Sequence, residues 1–167
     1  MTIRAATTDD APAIADIVIA CWRVAYRGIL PDAELDRDTR DERAVRIRRR
    51  LDDGWPTFIA VRDAGCIGVA RLARAPRYCD AELEGLYVHP DAQRDGLGRA
   101  LVAAACRHAA SLNHRSLYIT TLRDNRVGRP FYEKLGGRLV DAEPWSFANV
   151  AYPAVGYVWD DLTALVC

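Results

Sequence analysis

The chain has 167 residues, half of them hydrophobic and 28% charged, the size and balance of one globular domain that buries a core without disulfide staples. Its 23 basic and 23 acidic side chains cancel, which argues against a nucleic-acid-binding module and against attachment to an anionic membrane. Thr2 to Ala6 is predicted as a first strand. Thr7-Thr8-Asp9-Asp10 offers N-cap residues, and Ile14, Ile17, Val18, Cys21 and Trp22 recur at helical spacing until Gly28 and Pro31 close the helix. A second helix is expected from Thr39 to Leu51. From Gly54 the period shortens: Phe58 to Val61 and Cys66 to Leu72 read as strands joined by a turn at Arg62-Asp-Ala-Gly65. Ala81 to Val88 is a third such run, stopped by Pro90. Leu97, Leu101, Val102, Ala105, Ala109 and Leu112 mark a strongly amphipathic helix. Ser116 to Thr121 reads as a strand, Asn125 to Leu135 as a helix ended by Gly136-Gly137, and Arg138 to Asp141 and Tyr152 to Trp159 as last strands. An irregular segment is expected around Pro144 to Pro153. The order β-α-α-β-β-β-α-β-α-β-β describes a single α/β or α+β domain, residues 1–167, around a mixed sheet.

Cys21, Cys66, Cys79, Cys106 and Cys167 form no C-x-x-C pair, and His89, His108 and His114 have no metal-ligand spacing, so neither a disulfide framework nor a metal site is indicated. The opening Met1-Thr-Ile-Arg-Ala has no apolar signal region, and no apolar run reaches the ~18 residues that span a bilayer. A cytoplasmic location is therefore expected. Arg46-Ile-Arg-Arg-Arg50, flanked by Asp41, Glu42, Asp52 and Asp53, reads as a solvated helix face. Trp22, Tyr26, Trp145, Phe147 and Tyr152 are expected in the core, with the wall of an acceptor pocket as the alternative.

The informative segment is Gln93-Arg-Asp-Gly96-Leu-Gly98-Arg-Ala-Leu101, between a strand and a helix. Glycines spaced by one residue let the backbone turn and approach a ligand, and the following helix presents N–H groups and a positive dipole end to a pyrophosphate. A side chain at Gly98 is expected to block that approach. The pattern is neither G-x-G-x-x-G nor a P-loop with its lysine.

In context the chain resembles the GNAT acetyltransferases, whose signature is a strand, then Q/R-x-x-G-x-G/A, then a helix. Here that reads Leu86-Tyr-Val-His-Pro90 followed by Gln93-x-x-Gly96-x-Gly98. A second block, Asn125 to Tyr132-Glu-Lys-Leu-Gly136, is similar to the family's asparagine and E-K-L-G segment. The opening Ile3-Arg-Ala-Ala with Asp9 or Asp10, and Trp22 through Gly28-Ile-Leu-Pro31, also look like the family's amino-terminal region, so the resemblance spans nearly the whole chain. Arg94 and Asp95 depart from the glycine and basic residue often found there, and Gly137 from an aromatic residue.

The resemblance implies the GNAT fold and acetyl transfer from acetyl-CoA to an amine, without a metal. It implies that Gln93, Arg94, Asp95, Gly96, Leu97, Gly98, Arg99 and Ala100 form the diphosphate loop. The backbone of Leu86, Tyr87 and Val88 would pair with the pantetheine like an added strand, with an N–H near Val88 polarising the thioester carbonyl. Asn125 would bond the pantetheine or a nearby water, and Tyr132 would face the sulfur as acid or hydrogen-bond donor. Glu82 and Glu84, on one strand face, are the candidate bases for an amine with a pKa of about 10.4; Glu82 better matches the family's base. The partner is a small-molecule or peptide amine, and a homodimer is compatible with the resemblance. Another acyl-CoA donor, or a non-catalytic acyl-CoA sensor, are the alternative readings.

Overall fold

Period-2 alternation turns to helical spacing and back several times along the chain, and a computed structural model, which describes residues 1–63, 65–74 and 76–166, resolves these stretches into one domain. The elements are β1 (Thr2–Ala5), α1 (Ala11–Tyr26), α2 (Asp32–Leu35), α3 (Arg40–Asp52), β2 (Thr57–Arg62), β3 (Gly65–Leu72), β4 (Ala81–Val88), α4 (Leu97–Ser111), β5 (Leu117–Leu122), α5 (Gly128–Lys134), β6 (Arg138–Asp141), β7 (Trp145–Phe147), β8 (Val150–Tyr152) and β9 (Ala154–Trp159). Thr39 caps α3 by accepting from the Glu42 N–H at 3.3 Å, while the Glu42 carboxylate returns to the Thr39 N–H at 2.9 Å. Three expectations need correction. The one-turn helix α2 follows Pro31, where only a loop is expected. Trp145 to Tyr152 is a short hairpin rather than an irregular segment. Helix α5 begins at Gly128, because Asn125 bends the preceding residues into a side-chain-closed turn.

Seven strands form one sheet in the order β1-β2-β3-β4-β5-β9-β6. Every neighbouring pair is antiparallel except β4 and β5, which helix α4 must connect by crossing over the sheet. One face packs on α4, with Leu83, Leu97, Leu101, Val102, Leu117 and Tyr157 at the centre. The other packs on α1 and α3 through Ile14, Ile17, Val18, Ile47, Ile59 and Val69. Full burial of each such side chain contributes roughly 1.5–3 kcal/mol. A third cluster joins Tyr26, Leu30 and Leu35 to Leu122 and to the aromatic residues of the β7–β8 hairpin. Among the described residues no helix is long and apolar enough to cross a membrane.

Candidate active site

The parallel pair β4–β5 holds together over two residue pairs, Ala81 with Leu117 and Glu82 with Tyr118, and then opens. A bulge on β4 accompanies the opening. Arg71 pairs with Gly85 while Leu72 pairs with Leu83, so Glu84 is the extra residue. It reverses the alternation: Leu83 faces the α4 core, and so do Leu86 and Val88, whereas Tyr87 joins the α1 side. A Cβ on Gly85 would come within 2.8 Å of the Tyr87 ring, so the bulge closes tightly only with glycine there.

The ladder also fixes where the backbone of β4 points. His89 N–H donates to the Ile67 carbonyl at 3.0 Å, which makes that a hydrogen-bonded pair. By alternation Gly68–Val88 and Ala70–Leu86 are non-hydrogen-bonded pairs. The N–H and C=O groups of Leu86 and Val88 therefore turn away from β3, into the gap where β5 has departed. The Val88 carbonyl is taken by the Cys21 thiol and the Gln93 side-chain amide, each at 3.1 Å. Gln93 thus fastens the loop to the strand end. The Val88 N–H and both groups of Leu86 face the opening.

Beyond β4 the loop carries two residues in the left-handed region, Arg94 at φ 73° and Gly96 at φ 74°. The backbone keeps a glycine-like shape at Arg94, the position where the sequence departs from the family. Ala100 N–H bonds the Gly96 carbonyl at 3.1 Å, which leaves the first-turn N–H groups of Leu97, Gly98 and Arg99 without intrahelical partners. Leu97 itself is buried, and Ala100 half-buried. Asp95 leans toward Arg62, 3.7 Å away on the exposed surface. Gly98 also serves the packing. Its missing Cβ would lie 3.1 Å from two Phe131 ring carbons and 3.8 Å from Val88 Cγ2, so a side chain there strikes the contact between α4, α5 and β4.

Four side chains near the opening are the candidates for the chemistry. Glu84 is held by Arg71, whose Nε and Nη2 approach one oxygen at 2.7 and 2.5 Å, and by Arg50 at 3.3 Å from the other. Arg71 is buried, and both Glu84 oxygens are engaged. Glu82 accepts only the Arg77 N–H, at 3.2 Å. Burial first, then Tyr78 and Glu82, push the neighbouring Tyr118 hydroxyl up to about 12. Tyr132 packs on Phe131, Tyr157 and Trp159 and its hydroxyl bonds no protein group among the described residues. Burial drives that hydroxyl far above the ordinary phenol value, and the hydroxyls of Tyr26 and Tyr87 add to it. Asn125 is occupied: it accepts from Val127 and Gly128 N–H at 3.1 and 2.8 Å and donates to Thr121 Oγ1 at 2.8 Å. Gly137 lies against Trp159, 2.7 Å from a would-be Cβ, and that ring supplies the aromatic surface missing from its own position.

Opposite α4 a hollow of about 480 Å³ opens between α1, α3 and β4, with Arg71, Glu84 and Tyr87 on its floor and Trp22 and Phe147 on its wall. The five aromatic residues expected in the core interlock here edge to face, Trp22 with Tyr26 at 5.1 Å and Tyr26 with Trp145 at 6.0 Å. Phe147 joins Trp22 at 6.0 Å and Tyr152 at 5.9 Å. Arg46 and Arg50 keep 52% and 41% of their side chains accessible, as a solvated basic face expects, and both also border this hollow. Arg71 escaped the sequence reading as a site residue. Its one signal is a charge near the end of the otherwise apolar run Cys66 to Leu72. Among the described residues no three His, Cys, Asp or Glu side chains gather as a metal would require.

Residues 12–137 match the model of the acetyltransferase (GNAT) family. A probable N-acetyltransferase of Mycobacterium tuberculosis, Rv2775, is 30% identical over 165 residues, covering 93% of this chain and 91% of its own. The uncharacterized N-acetyltransferase YuaI of Bacillus subtilis is 27% identical over 169 residues, covering 99% and 96%. Among solved structures, PaiA N-acetyltransferase of Thermoplasma acidophilum, determined with coenzyme A, superposes with a TM-score of 0.73 at 19% identity. The match covers 93% of this chain and 98% of that one.

Proposed function

The chain belongs to the acetyltransferase (GNAT) family and is an acetyl-CoA-dependent acyltransferase, and from that premise we propose that it acetylates a primary amine in the gap between β4 and β5. The observation that carries the reading is the splayed pair itself. Leu86 and Val88 offer backbone hydrogen bonds to an extended ligand there, on an otherwise filled sheet. The loop residues Arg94 to Ala100 end in the free N–H groups of α4, a fitting cradle for a diphosphate. Bound acetyl-CoA supplies an activated acyl group as its thioester.

The protein's own groups do the rest. The Val88 N–H, fixed by the ladder and needing no reorganisation, stabilises negative charge developing on the acyl oxygen. Glu82 takes the proton of the incoming amine, directly or through water; its freer carboxylate supports it over Glu84, whose oxygens are already bonded. Tyr132 aids departure of the thiolate by donating a hydrogen bond. Full transfer of its proton is disfavoured by burial that raises its pKa. Asn125 contributes by shaping the turn that brings α5 and Tyr132 to the gap.

Acetyl-CoA at about a hundred times its dissociation constant should stabilise the fold by about 2.7 kcal/mol, a rise in Tm of roughly 5–10 °C for this chain length. Thiol release with a panel of primary amines should then identify acceptors. An unmoved melting curve with no calorimetric heat refutes the reading. Binding without transfer to any amine, or transfer only from a longer acyl-CoA, replaces it with a sensor or another acyltransferase.

A further inference from the structure

The hollow on the face away from α4 carries more charge than an amine acceptor calls for. Glu84 serves both Arg71 and Arg50. Asp38 serves both Arg43, at 2.9 Å, and Arg46. Arg37 has Glu34, 3.2 Å away. Five guanidinium groups thus line the hollow against three carboxylates, and arginine cannot shed its proton to relieve the excess.

Arg43 is the least satisfied of them. It lies over the Trp22 ring, 5.5 Å from its centroid, and only 15% of its side chain is accessible. Its Nε is sealed from solvent and has no hydrogen-bond partner among the described residues, a costly state for a cationic donor. Glu34 Oε2 is likewise buried without a hydrogen bond, but the Arg37 guanidinium beside it balances its charge. The surplus is therefore positive. Val18, Trp22, Ile47 and Phe147 supply apolar wall. The floor residues Glu84 and Tyr87 belong to β4, the same strand whose Leu86 and Val88 backbone faces the gap where transfer is assigned.

We infer that the acceptor amine also carries a small anion of carboxylate type, which the Arg43, Arg50 and Arg71 side of the hollow holds while the amine faces Glu82. This rests on the acyltransferase reading given above and adds the acceptor's chemical class to it. A planar guanidinium fork matches a carboxylate with paired, charge-assisted hydrogen bonds. A neutral or purely cationic amine leaves the surplus unmet.

The test uses the full chain saturated with coenzyme A or acetyl-CoA. L-Phenylalanine, L-leucine and L-methionine are each compared with their primary amides and with the corresponding decarboxylated amines, by calorimetry and by thiol release. Aminoalkyl phosphonates form a further arm that separates carboxylate from phosphonate recognition. The acidic member of at least one set should be preferred roughly tenfold or more, the scale of one charge-assisted hydrogen bond. That preference should collapse in Arg43→Gln, or in Arg50→Gln if the first variant does not fold. Amides or decarboxylated amines that bind and react as well as the acids overturn the inference, as does failure of every acid to bind. So does a preference that survives both substitutions. Neutral amines acetylated with equal efficiency would leave the acetyltransferase reading standing while removing this one. Acids that bind with no acetyl transfer would keep the anion site and remove the amine-transfer reading.

Discussion

Exchanging Glu84 for glutamine and, separately, Glu82 for glutamine should separate charge balance from proton transfer on one strand. Glu84 is 27% accessible and its partner Arg71 only 7%. Removing the Glu84 charge leaves Arg71 buried beside Arg50, two like charges with a neutral amide between them. A wholly buried orphaned charge costs about 3–5 kcal/mol. Partial exposure of Glu84 lets water reach the site, and about 2 kcal/mol is the working figure. For a chain of this length that lowers Tm by roughly 4–8 °C. Glu82 gives up one rim hydrogen bond at 3.2 Å, so Glu82→Gln should melt within about 0.5 kcal/mol of the parent. Catalysis should reverse the ranking. Glu82→Gln should lose about a hundredfold in kcat/KM, most severely at the low end of the pH range, where the free amine is scarce. Thermal melts followed by circular dichroism and thiol release from about pH 6 to about pH 9 make the comparison. The reasoning fails if Glu84→Gln melts with the parent. It also fails if Glu84→Gln alone shows the low-pH loss of turnover.

Arg94→Gly should raise Tm by a degree or two, because the left-handed backbone at φ 73° costs arginine about 1 kcal/mol and glycine's freer unfolded chain offsets only part of it; a lower Tm refutes the strain. Tyr132→Phe should lower kcat roughly 10–100-fold, the range for a lost hydrogen bond to a charged group, and should leave the shape of the pH profile intact. If instead an alkaline limb disappears from that profile, Tyr132 is a titrating acid. Asp10 is held at about 2, first by its hydrogen bonds to Arg4, with Thr7 assisting. Its folded pKa is depressed, so its contribution is present above about pH 4 and lost as pH falls toward 2. Asp10→Asn should thus cost about 1 kcal/mol at neutral pH after solvent screening, and its melting curve should converge on the parent's in acid. A gap that stays constant with pH refutes the assignment.

The elements that frame the candidate site were legible because their signals are local. Period-2 alternation located β4 from Ala81 to Val88, and apolar spacing located α4 to within a residue. Gly96 and Gly98 mark the junction between them, as N-cap and second residue of α4. The hairpin from Trp145 to Tyr152 and the single turn α2 were missed because each is held by packing on the Tyr26 and Leu122 cluster rather than by its own propensity. Side-chain direction was decided farther away still. Sequence spacing placed Glu82 and Glu84 on one face, but the bulge at Glu84 and the buried Arg71 from another strand decide that one carboxylate is bound and the other freer. Gly98 was expected at the ligand from its motif, and only the packing of α5 shows that a side chain there would also meet Phe131. The arginines of α3 read as solvated because acids flank them in sequence, and Arg46 and Arg50 do stay accessible; only the packing of α3 beside α1 and β4 shows that they also border a hollow. Sequence alone determined the fold class and the family, since periodicity and short motifs are properties of local segments. The partners of Glu84 lie thirteen or more residues away, Arg71 on β3 and Arg50 on α3, and tertiary structure alone brought them within reach of its carboxylate.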